Sequence, residues 1–406
     1  MLITEAFNFL ASPEGRRNPY PGYAALRAHG PIVRLRPGFY VVTGYDLISR
    51  LLRDPRLEVR AWPDGAASRL IADSMMKANG PDHARIRQCV RDALSPRGDG
   101  RRSDGRRNVG RLEEAATEQA ALLAEYVAYL GRHGEPVDLM DEFAYPLAVR
   151  TVSALLGIPA AEQQWFRERA QELTGVLEPF RAPGPTTAAD RAATELEEYT
   201  AALIRRRRAE PGEDLAGALV RVHDRDADAL SARELAANLV FLTLAGFETS
   251  ANLIGNGLAL LLDHPGPAAA LREDESLADR YVEEVLRLDA PLQLTSRWAA
   301  EPVELDGIGT IEAAAHVLLL LGAGNHDPAR FTDPARFDPL RPSVPPLSFG
   351  AGAHYCLGAA LARTQARTAL PLLLRRLPAM RRAGEAPRRD RLTFRGFTGL
   401  PVTCGR

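Results

Sequence analysis

The sequence predicts a mainly α fold with a small β-rich portion. A long, strongly apolar helical stretch spans Ala232–Leu262, and a charged amphipathic helix spans Ala188–Arg208. Between Pro291 and Pro346, prolines interrupt short apolar runs, which is typical of short strands joined by irregular chain. No internal repeat or inter-domain linker is evident, so we expect a single domain over residues 1–406.

The first half of the chain predicts short helices separated by loops. Ile32–Val42 alternates apolar and polar residues around a Pro-Gly pair, which predicts a hairpin. Arg60–Asn79 mixes Pro, Gly and polar residues and is predicted to be a long loop, as is the arginine- and glycine-rich Ser95–Gly110. Helical spacing predicts helices over Tyr45–Arg53, Asp82–Leu94, Leu112–Leu130 and Val149–Leu156.

The second half is dominated by longer helical patterns. A Pro-Gly-Pro sequence within Ala182–Thr187 breaks the pattern before the charged helix begins. The stretch Ala232–Leu262 is apolar on every side, so we expect it in the core rather than at the surface. Two further helices are predicted over Ala278–Leu288 and Leu357–Leu377.

Composition and charge exclude several classes of function. The 406 residues carry a formal net charge of -1, which favours neither nucleic acid nor an anionic membrane. Cys89, Cys356 and Cys404 are too few and odd in number for a disulfide framework, which indicates a reducing compartment. The N-terminus lacks a signal-peptide pattern, and we find no apolar run of membrane-spanning length. We therefore expect a cytoplasmic protein.

The segment around Cys356 carries the most informative pattern of the chain. It contains Phe349, Gly350, Gly352 and Gly358 and leads into the last predicted helix. The glycines permit close approach or positive φ, and a helix N-terminus favours a thiolate. A lone thiolate suits haem iron, since few other metal sites use one cysteine. The alternative for an isolated cysteine is a buried structural thiol in a glycine-rich turn.

A polar pair, Glu248-Thr249, interrupts the long apolar helix. Burying these groups is costly unless they are functional or solvated. The threonine hydroxyl can compete for a backbone carbonyl one turn back and so loosen the helix, opening a groove for dioxygen and water. The alternative places the Thr249 hydroxyl on its own helix and Glu248 in solvent.

Glu284 and Arg287 are spaced so that they share one face of the helix Ala278–Leu288. An isolated pair of this kind is usually an exposed ion pair of little energetic value. Here a segment rich in proline and aromatic residues, Phe331–Phe337, follows and contains Arg336. A buried network is the other interpretation, and breaking it would cost several kcal/mol.

Together these patterns resemble the signature motifs of cytochrome P450, and the resemblance runs through nearly the whole chain. It implies the fold of that family, with haem b (iron protoporphyrin IX) sandwiched between the Ala232–Leu262 helix and the Cys356 loop. Cys356 is then the iron ligand, Thr249 orders the water that delivers protons, and Glu248 links that water to solvent. The resemblance assigns a structural network to Glu284, Arg287 and Arg336.

The resemblance also implies which residues hold the haem. Cationic side chains without carboxylate partners nearby in sequence match the positions that bind the two propionates. Those positions are His83, Arg87, Arg297 and His354. The residues implied to contact the macrocycle are Ala245, Phe349, Gly350 and Gly358.

Substrate contacts are implied for four segments of the chain. Their side chains are largely apolar, with two polar exceptions, and ordinary core packing is an equal alternative for each. The candidates are Trp62, Met75, Met76, Phe241, Leu244, Leu292, Gln293, Leu294, Thr295 and Phe397.

Partners follow from the resemblance too. The closest likeness is to soluble bacterial members that receive electrons from NAD(P)H through ferredoxin and ferredoxin reductase, and we expect a monomer. An arginine-rich run over Arg97–Arg111 is either a solvated loop or a docking site for an acidic ferredoxin.

The resemblance predicts a monooxygenase that inserts one oxygen atom of O₂ into a small organic substrate. Hydroxylation or epoxidation in bacterial secondary metabolism is the preferred interpretation, and the Glu248-Thr249 pair favours O₂ over peroxide as oxidant. Three alternatives remain: oxidative coupling or desaturation, peroxide-driven oxidation, and a haem-binding sensor without catalysis.

Overall fold

The computed structural model describes residues 1–61, 65–94, 106–179 and 187–405. Helices dominate these residues, as predicted. In chain order the α-helices are α1 (Ile3–Ala11), α2 (Pro13–Arg17), α3 (Tyr20–Arg27), α4 (Tyr45–Leu51), α5 (Ala66–Ala72), α6 (Gly80–Leu94), α7 (Arg106–Leu130), α8 (Tyr145–Leu156), α9 (Gln163–Leu173), α10 (Thr187–Ala209), α11 (Leu215–Arg225), α12 (Ala232–Asp263), α13 (Pro265–Glu273), α14 (Ala278–Leu288), α15 (Leu321–Asn325) and α16 (Ala359–Arg376).

The strands are short and form three small sheets. They are β1 (Ile32–Arg36), β2 (Phe39–Val42), β3 (Leu57–Glu58), β4 (Val137–Asp138), β5 (Thr295–Ala299), β6 (Val303–Leu305), β7 (Gly309–Ile311), β8 (His316–Leu319), β9 (Arg381–Arg382) and β10 (Pro401–Thr403). The largest sheet has the order β1-β2-β8-β5-β3, the second has the order β4-β10-β9, and β6 pairs with β7. The predicted hairpin is present as the antiparallel pair β1 and β2.

The chain divides into two compact units. One comprises residues 1–58, 120–144 and 249–406, and the other comprises residues 59–119 and 145–248. All the strands of the described residues belong to the first unit, where apolar side chains of β2, α4 and β8 form a common core. In the second unit the described residues are helical, and α10 packs against α5, α9 and α11.

The long helix α12 behaves as a core helix. By length and composition it could cross a membrane, although we found no run of spanning length in the sequence, and 72% of its apolar window is buried inside the protein. Close packing explains part of this burial. A Cβ on Gly246 would lie 2.7 Å from Val152, and one on Gly257 would lie 3.0 Å from Leu370, so each glycine admits a neighbouring side chain.

Two segments differ from the prediction. Helix α5 lies within Arg60–Asn79, which we predicted to be a loop. Helix α7 begins at Arg106, inside the predicted loop Ser95–Gly110, of which residues 95–105 lie outside the described residues. In contrast, α14 has the predicted limits, and α12 and α16 agree with prediction to within two residues at each end.

Candidate active site

Cys356 lies on a sharply bent loop before α16. A single 3₁₀ turn, Gly352–His354, precedes it, and its backbone N–H donates to the carbonyl of Phe349 at 2.9 Å. Gly350 and Gly352 have φ values of 69° and 68°, which disfavour a side chain. At Gly352 a Cβ would also lie 2.5 Å from the carbonyl oxygen of Leu52. The sequence therefore bends the loop at the positions where glycine is needed.

The bent loop carries a cysteine that is not part of a disulfide. Cys356 is half-buried. Two residues later Gly358 caps α16, and a Cβ built on it would meet no atom within 4 Å. A thiol beside an open glycine at a helix start can approach a flat group closely, which fits the proximal side of a haem.

A buried network braces this loop from the side of α14. The guanidinium of Arg287 donates from Nε and Nη2 to the two carboxylate oxygens of Glu284, each at 2.8 Å, and from Nη1 to the carbonyl of Asn325 at 3.0 Å. Asn325 in turn accepts from the backbone N–H of Leu347 at 2.7 Å and donates to Ser348 at 3.0 Å. The ion pair thus connects to the residues directly before Phe349.

The third member of the network is Arg341 and not Arg336. Nε of Arg341 lies 3.0 and 3.1 Å from the two Glu284 oxygens. Arg336 contributes only its backbone carbonyl, which accepts from Arg287 and Arg341, while its side chain is exposed. Two arginines five residues apart fit the sequence equally well, and only the path of the chain after Asp333, where φ is 47°, selects between them.

Arg297 is a buried cation whose described contacts are to a hydroxyl and a backbone carbonyl. Its side chain on β5 is 5% exposed, and Nη1 donates to the Thr295 hydroxyl at 3.0 Å and to the carbonyl of Ser296 at 2.8 Å. Among the described residues no carboxylate lies within ion-pair distance of it. Burial lowers the pKa of Arg297 to about 10. An uncompensated buried guanidinium is costly, so this site fits a carboxylate of a bound group.

The other cations predicted to bind propionates have different surroundings. His354 is half-buried in the 3₁₀ turn before Cys356. His83 and Arg87 lie one turn apart on α6 in the other unit, where His83 is buried. Burial and the charge of Arg87 both lower the pKa of His83. A neutral His83 remains a hydrogen-bond donor.

The middle of α12 has an accessible stripe although most of the helix is buried. Ala245 is exposed, and Phe241 and Thr249, four residues away on either side, are half-buried. Leu244 and Glu248 are buried. The predicted macrocycle contact Ala245 and the predicted proton-relay residue Thr249 therefore share one face of the helix.

Glu248 does not face solvent. It is fully buried, and its Oε2 lies 2.9 Å from the hydroxyl of Thr174, which begins the 3₁₀ turn after α9. One turn beyond Thr249, Asn252 is also fully buried, and neither atom of its amide has a partner among the described residues. Our sequence reading missed Thr174 and Asn252. An asparagine three residues after Thr249 in an apolar helix is the one available signal, and nothing in the sequence marks Thr174.

The predicted substrate segments are partly brought together. In one unit, Leu292 pairs with Phe394, and Arg388 pairs with Phe397. Phe397 is buried beneath the guanidinium of Arg388, 3.8 Å from its ring centroid. Arg388 is held by Asp289 at 2.6 Å. Burial would raise the pKa of that carboxyl, but Arg388 and Arg395 outweigh burial and hold it well below its usual range.

The remaining substrate candidates differ in burial. Leu294 and Met75 are buried, whereas Thr295, Met76 and Leu292 are half-buried, and Trp62 lies outside the described residues. Gln293 is an internal structural residue. It donates to the carbonyl of Ala290 at 2.8 Å and accepts from the Tyr23 hydroxyl at 3.2 Å. A polar group engaged in this way offers little to a substrate.

The chain is similar to known proteins over nearly its whole length. Residues 185–388 match the family model described as cytochrome P450. The chain is 36% identical to the cytochrome P450 monooxygenase PikC of Streptomyces venezuelae, over 96% of this chain and 92% of that protein. It is also 36% identical to the 6-deoxyerythronolide B hydroxylase of Saccharopolyspora erythraea, over 94% and 95% of the two chains.

A solved structure gives the same result for the fold. The crystal structure of P450BioI with acyl carrier protein ligated to hexadec-9Z-enoic acid superposes with a TM-score of 0.87 at 33% identity, covering 96% of this chain and 99% of that one. The family model, the relatives and the fold therefore show that the chain belongs to the cytochrome P450 family of monooxygenases.

Proposed function

We propose that this chain is a haem-thiolate enzyme that inserts one oxygen atom of O₂ into a small organic substrate by hydroxylation or epoxidation. The observation that carries the proposal is the half-buried Cys356, held on a glycine-bent loop in the same unit as the buried Arg297, which has no carboxylate partner in the part of the chain that the structure describes. When bound, haem supplies the iron on which O₂ is activated, and the thiolate ligand favours cleavage of the O–O bond.

Each residue then has a defined task in holding the haem. Cys356 ligates the iron, and Gly350 and Gly358 leave room for the ring. Arg297 offers a buried guanidinium to one propionate, which removes the cost of leaving that charge unpaired. We assign His83, Arg87 and His354 to the propionates as well, and Ala245 and Phe349 to the faces of the macrocycle.

Proton delivery is assigned to Thr249 and Glu248. Thr249 lies on the accessible stripe of α12, where its hydroxyl can hold a water, and the adjacent Glu248 supplies an internal carboxyl. The buried amide of Asn252 one turn away adds donor and acceptor capacity for a second water. A pair of this kind serves O₂ activation, which consumes protons.

The substrate is proposed to be largely apolar, because its candidate contacts are. Those candidates are Met75, Met76, Phe241, Leu244, Leu292, Leu294, Thr295 and Phe397. A relative named as a hydroxylase of 6-deoxyerythronolide B supports a tailoring step in bacterial secondary metabolism. Electrons are proposed to come from NAD(P)H through ferredoxin reductase and ferredoxin in the cytoplasm, to a monomeric enzyme.

Replacing the thiol tests the haem ligand. The reduced protein with carbon monoxide is expected to show the absorption typical of thiolate-ligated haem, and Cys356→Ser is expected to lose it. Cys89→Ser is the matched control, since it removes a second half-buried free thiol and is expected to change nothing. If Cys356→Ser kept the thiolate spectrum, the proposal would fail.

Isotope labelling tests the reaction. Metabolites that shift the ferric Soret band, beginning with 6-deoxyerythronolide B, are incubated with NAD(P)H, ferredoxin, reductase and ¹⁸O₂. The expected product carries one ¹⁸O atom. A product without the label indicates coupling or desaturation, and equal turnover with peroxide alone indicates a peroxygenase. If no bound ligand increases NAD(P)H consumption, a sensor function is favoured.

A further inference from the structure

A buried hydroxyl connects Glu248 to the turn after α9. Thr174 Oγ1 lies 2.9 Å from Oε2 of Glu248 and 2.9 Å from the backbone carbonyl of Gln171. Both side chains belong to the same compact unit and are shielded from solvent, with Thr174 1% and Glu248 0% exposed. The contact therefore lies in an environment where each hydrogen bond to a carboxyl carries weight.

The number of hydrogen atoms limits how this contact can be arranged. A threonine hydroxyl has one hydrogen and can also accept, whereas a carbonyl oxygen only accepts. If the hydroxyl of Thr174 donates to Gln171, it can only accept from Glu248, and the carboxyl must then carry a proton. If the hydroxyl turns towards Glu248, it donates to an ionised carboxylate.

Rotation about one side-chain bond therefore gives a hydrogen-bonded partner to either protonation state of Glu248. The ionised form gains a charge-assisted bond, and the neutral form gains a neutral one. A valine at this position would offer neither. The hydroxyl therefore remains a hydrogen-bond partner while a proton moves to or from the internal carboxyl.

We propose that Thr174 is a positioning residue for proton delivery, acting as a rotor that keeps Glu248 hydrogen-bonded both before and after it gives up its proton. This inference rests on the proposed role of Glu248. It also gives the turn Thr174–Leu177 a task in the reaction, since that turn fixes where the hydroxyl can point.

Infrared difference spectroscopy tests the contact without turnover. The C=O stretching band of the protonated Glu248 carboxyl, identified by its absence in Glu248→Gln, is recorded in the wild type and in Thr174→Val and Thr174→Ser. Loss of the hydroxyl removes a hydrogen bond to this carboxyl, so in Thr174→Val the band is expected to move to a higher frequency. Thr174→Ser is expected to restore the wild-type frequency. An unchanged frequency in Thr174→Val would overturn the inference.

The amount of peroxide released per NAD(P)H consumed tests the role of Thr174 in the reaction. Thr174→Val is expected to release several-fold more peroxide per NAD(P)H consumed and to show a larger solvent isotope effect, and Thr174→Ser is expected to behave as the wild type. Thr151→Val is the matched control, because that buried hydroxyl on α8 in the same unit donates to its own helix at Leu147, 2.8 Å away. If Thr151→Val raised peroxide release equally, general repacking would explain the result and the inference would fail.

Glu248→Gln separates this inference from the proposed function. If Glu248→Gln leaves peroxide release and the isotope effect unchanged, Glu248 is not the proton donor, and both proposals for it fail. If Glu248→Gln changes them and Thr174→Val does not, only the rotor is rejected. Should Thr174→Val fold poorly by circular dichroism, Thr174→Ala provides the same loss of hydroxyl with less bulk.

Discussion

At the scale of the residue, Arg336 and Arg341 take part in the buried network in different ways. Arg341 donates to the buried carboxylate of Glu284, whereas Arg336 participates only through its backbone carbonyl. An alanine at position 341 therefore removes the contact with Glu284. An alanine at position 336 keeps the backbone carbonyl that accepts from Arg287.

Arg341→Ala is expected to lower the free energy of unfolding by about 2–4 kcal/mol, because it leaves Glu284 short of a buried partner. Arg336→Ala is expected to change it by less than about 0.5 kcal/mol, since an exposed side chain is lost. Guanidinium titrations of the two variants measure both values. Equal losses would contradict the assignment of the network to Arg341.

Replacing Arg297 is expected to stabilise the haem-free protein and to weaken haem retention by the loaded protein. Arg297→Met removes an uncompensated buried charge, so the haem-free protein is expected to gain about 1–3 kcal/mol of stability. Without a charged donor for the propionate, the loaded protein is expected to release haem about tenfold faster.

Transfer of haem to apomyoglobin measures the release rate, and chemical denaturation of the haem-free chain measures the stability. Arg297→Lys serves as control, because it keeps a charge and is expected to retain haem better than Arg297→Met. Destabilisation of the haem-free protein by Arg297→Met would show that the guanidinium is satisfied without haem.

At the scale of the element, a ring stack crosses the largest sheet. His316 on β8 lies between Trp298 on β5 and Phe39 on β2, with ring centroids 4.5 and 4.9 Å apart and interplanar angles of 13° and 9°. Burial, and then the charge of Arg36, lowers the pKa of His316 to about 4. Between about pH 4 and 6.5 the folded chain therefore holds His316 as a neutral imidazole, whereas the unfolded chain holds it charged.

This shift makes the sheet sensitive to acid. Between about pH 6.5 and 4 the unfolded histidine binds a proton that the folded one does not, so stability falls as the pH falls through that window. The loss attributable to His316 is expected to reach about 3 kcal/mol at pH 4. His326, whose pKa burial also lowers to about 4, adds a loss of the same sign.

His316→Phe keeps a ring in the stack and removes the titration. Its melting temperature is expected to fall less between pH 7 and pH 5 than that of the wild type, whatever its absolute stability. The exposed His133, replaced in His133→Gln, is the control and is expected to leave the slope unchanged. A slope that His316→Phe does not alter would show that the imidazole titrates normally.

Helices whose apolar face repeats over several turns could be predicted from the sequence. Helices that depend on contacts with residues distant in sequence could not. Helix α14 has the predicted limits because its apolar face repeats over three turns. Helix α5 was missed because it is short and follows glycine, and its first turn is stabilised by Asp190, which accepts from the backbone N–H of Ala67 at 2.9 Å. A partner 123 residues away in the sequence leaves no local signal.

The candidate site shows the same division. Cys356 could be predicted because the residues that bend its loop are its sequence neighbours. Arg341 and Thr174 could not, because they meet their carboxylates across 57 and 74 residues of chain. Phe397 could be placed in a segment, but its burial under Arg388 depends on the ion pair to Asp289.

At the scale of the whole molecule, the proposed haem site links stability to ligand. A group that binds only the folded chain stabilises it by mass action, by about 4 kcal/mol when its concentration is a thousand times the dissociation constant. Arg297 lacks a carboxylate partner among the described residues, so part of this gain comes from a buried charge that is costly without haem.

Removal of haem is therefore expected to lower the denaturant midpoint of the whole chain, and added haemin is expected to restore it in proportion to the logarithm of its concentration. In Cys356→Ser the difference in denaturant midpoint between loaded and haem-free protein is expected to shrink, because the iron loses its protein ligand. Cys89→Ser is expected to keep the full difference.

Because the chain forms two compact units, each transition is followed by both tryptophan fluorescence and circular dichroism to detect a departure from two-state unfolding. The proposed site requires that haem binds the folded chain more tightly than the unfolded one. Equal denaturant midpoints for loaded and haem-free wild type would contradict it.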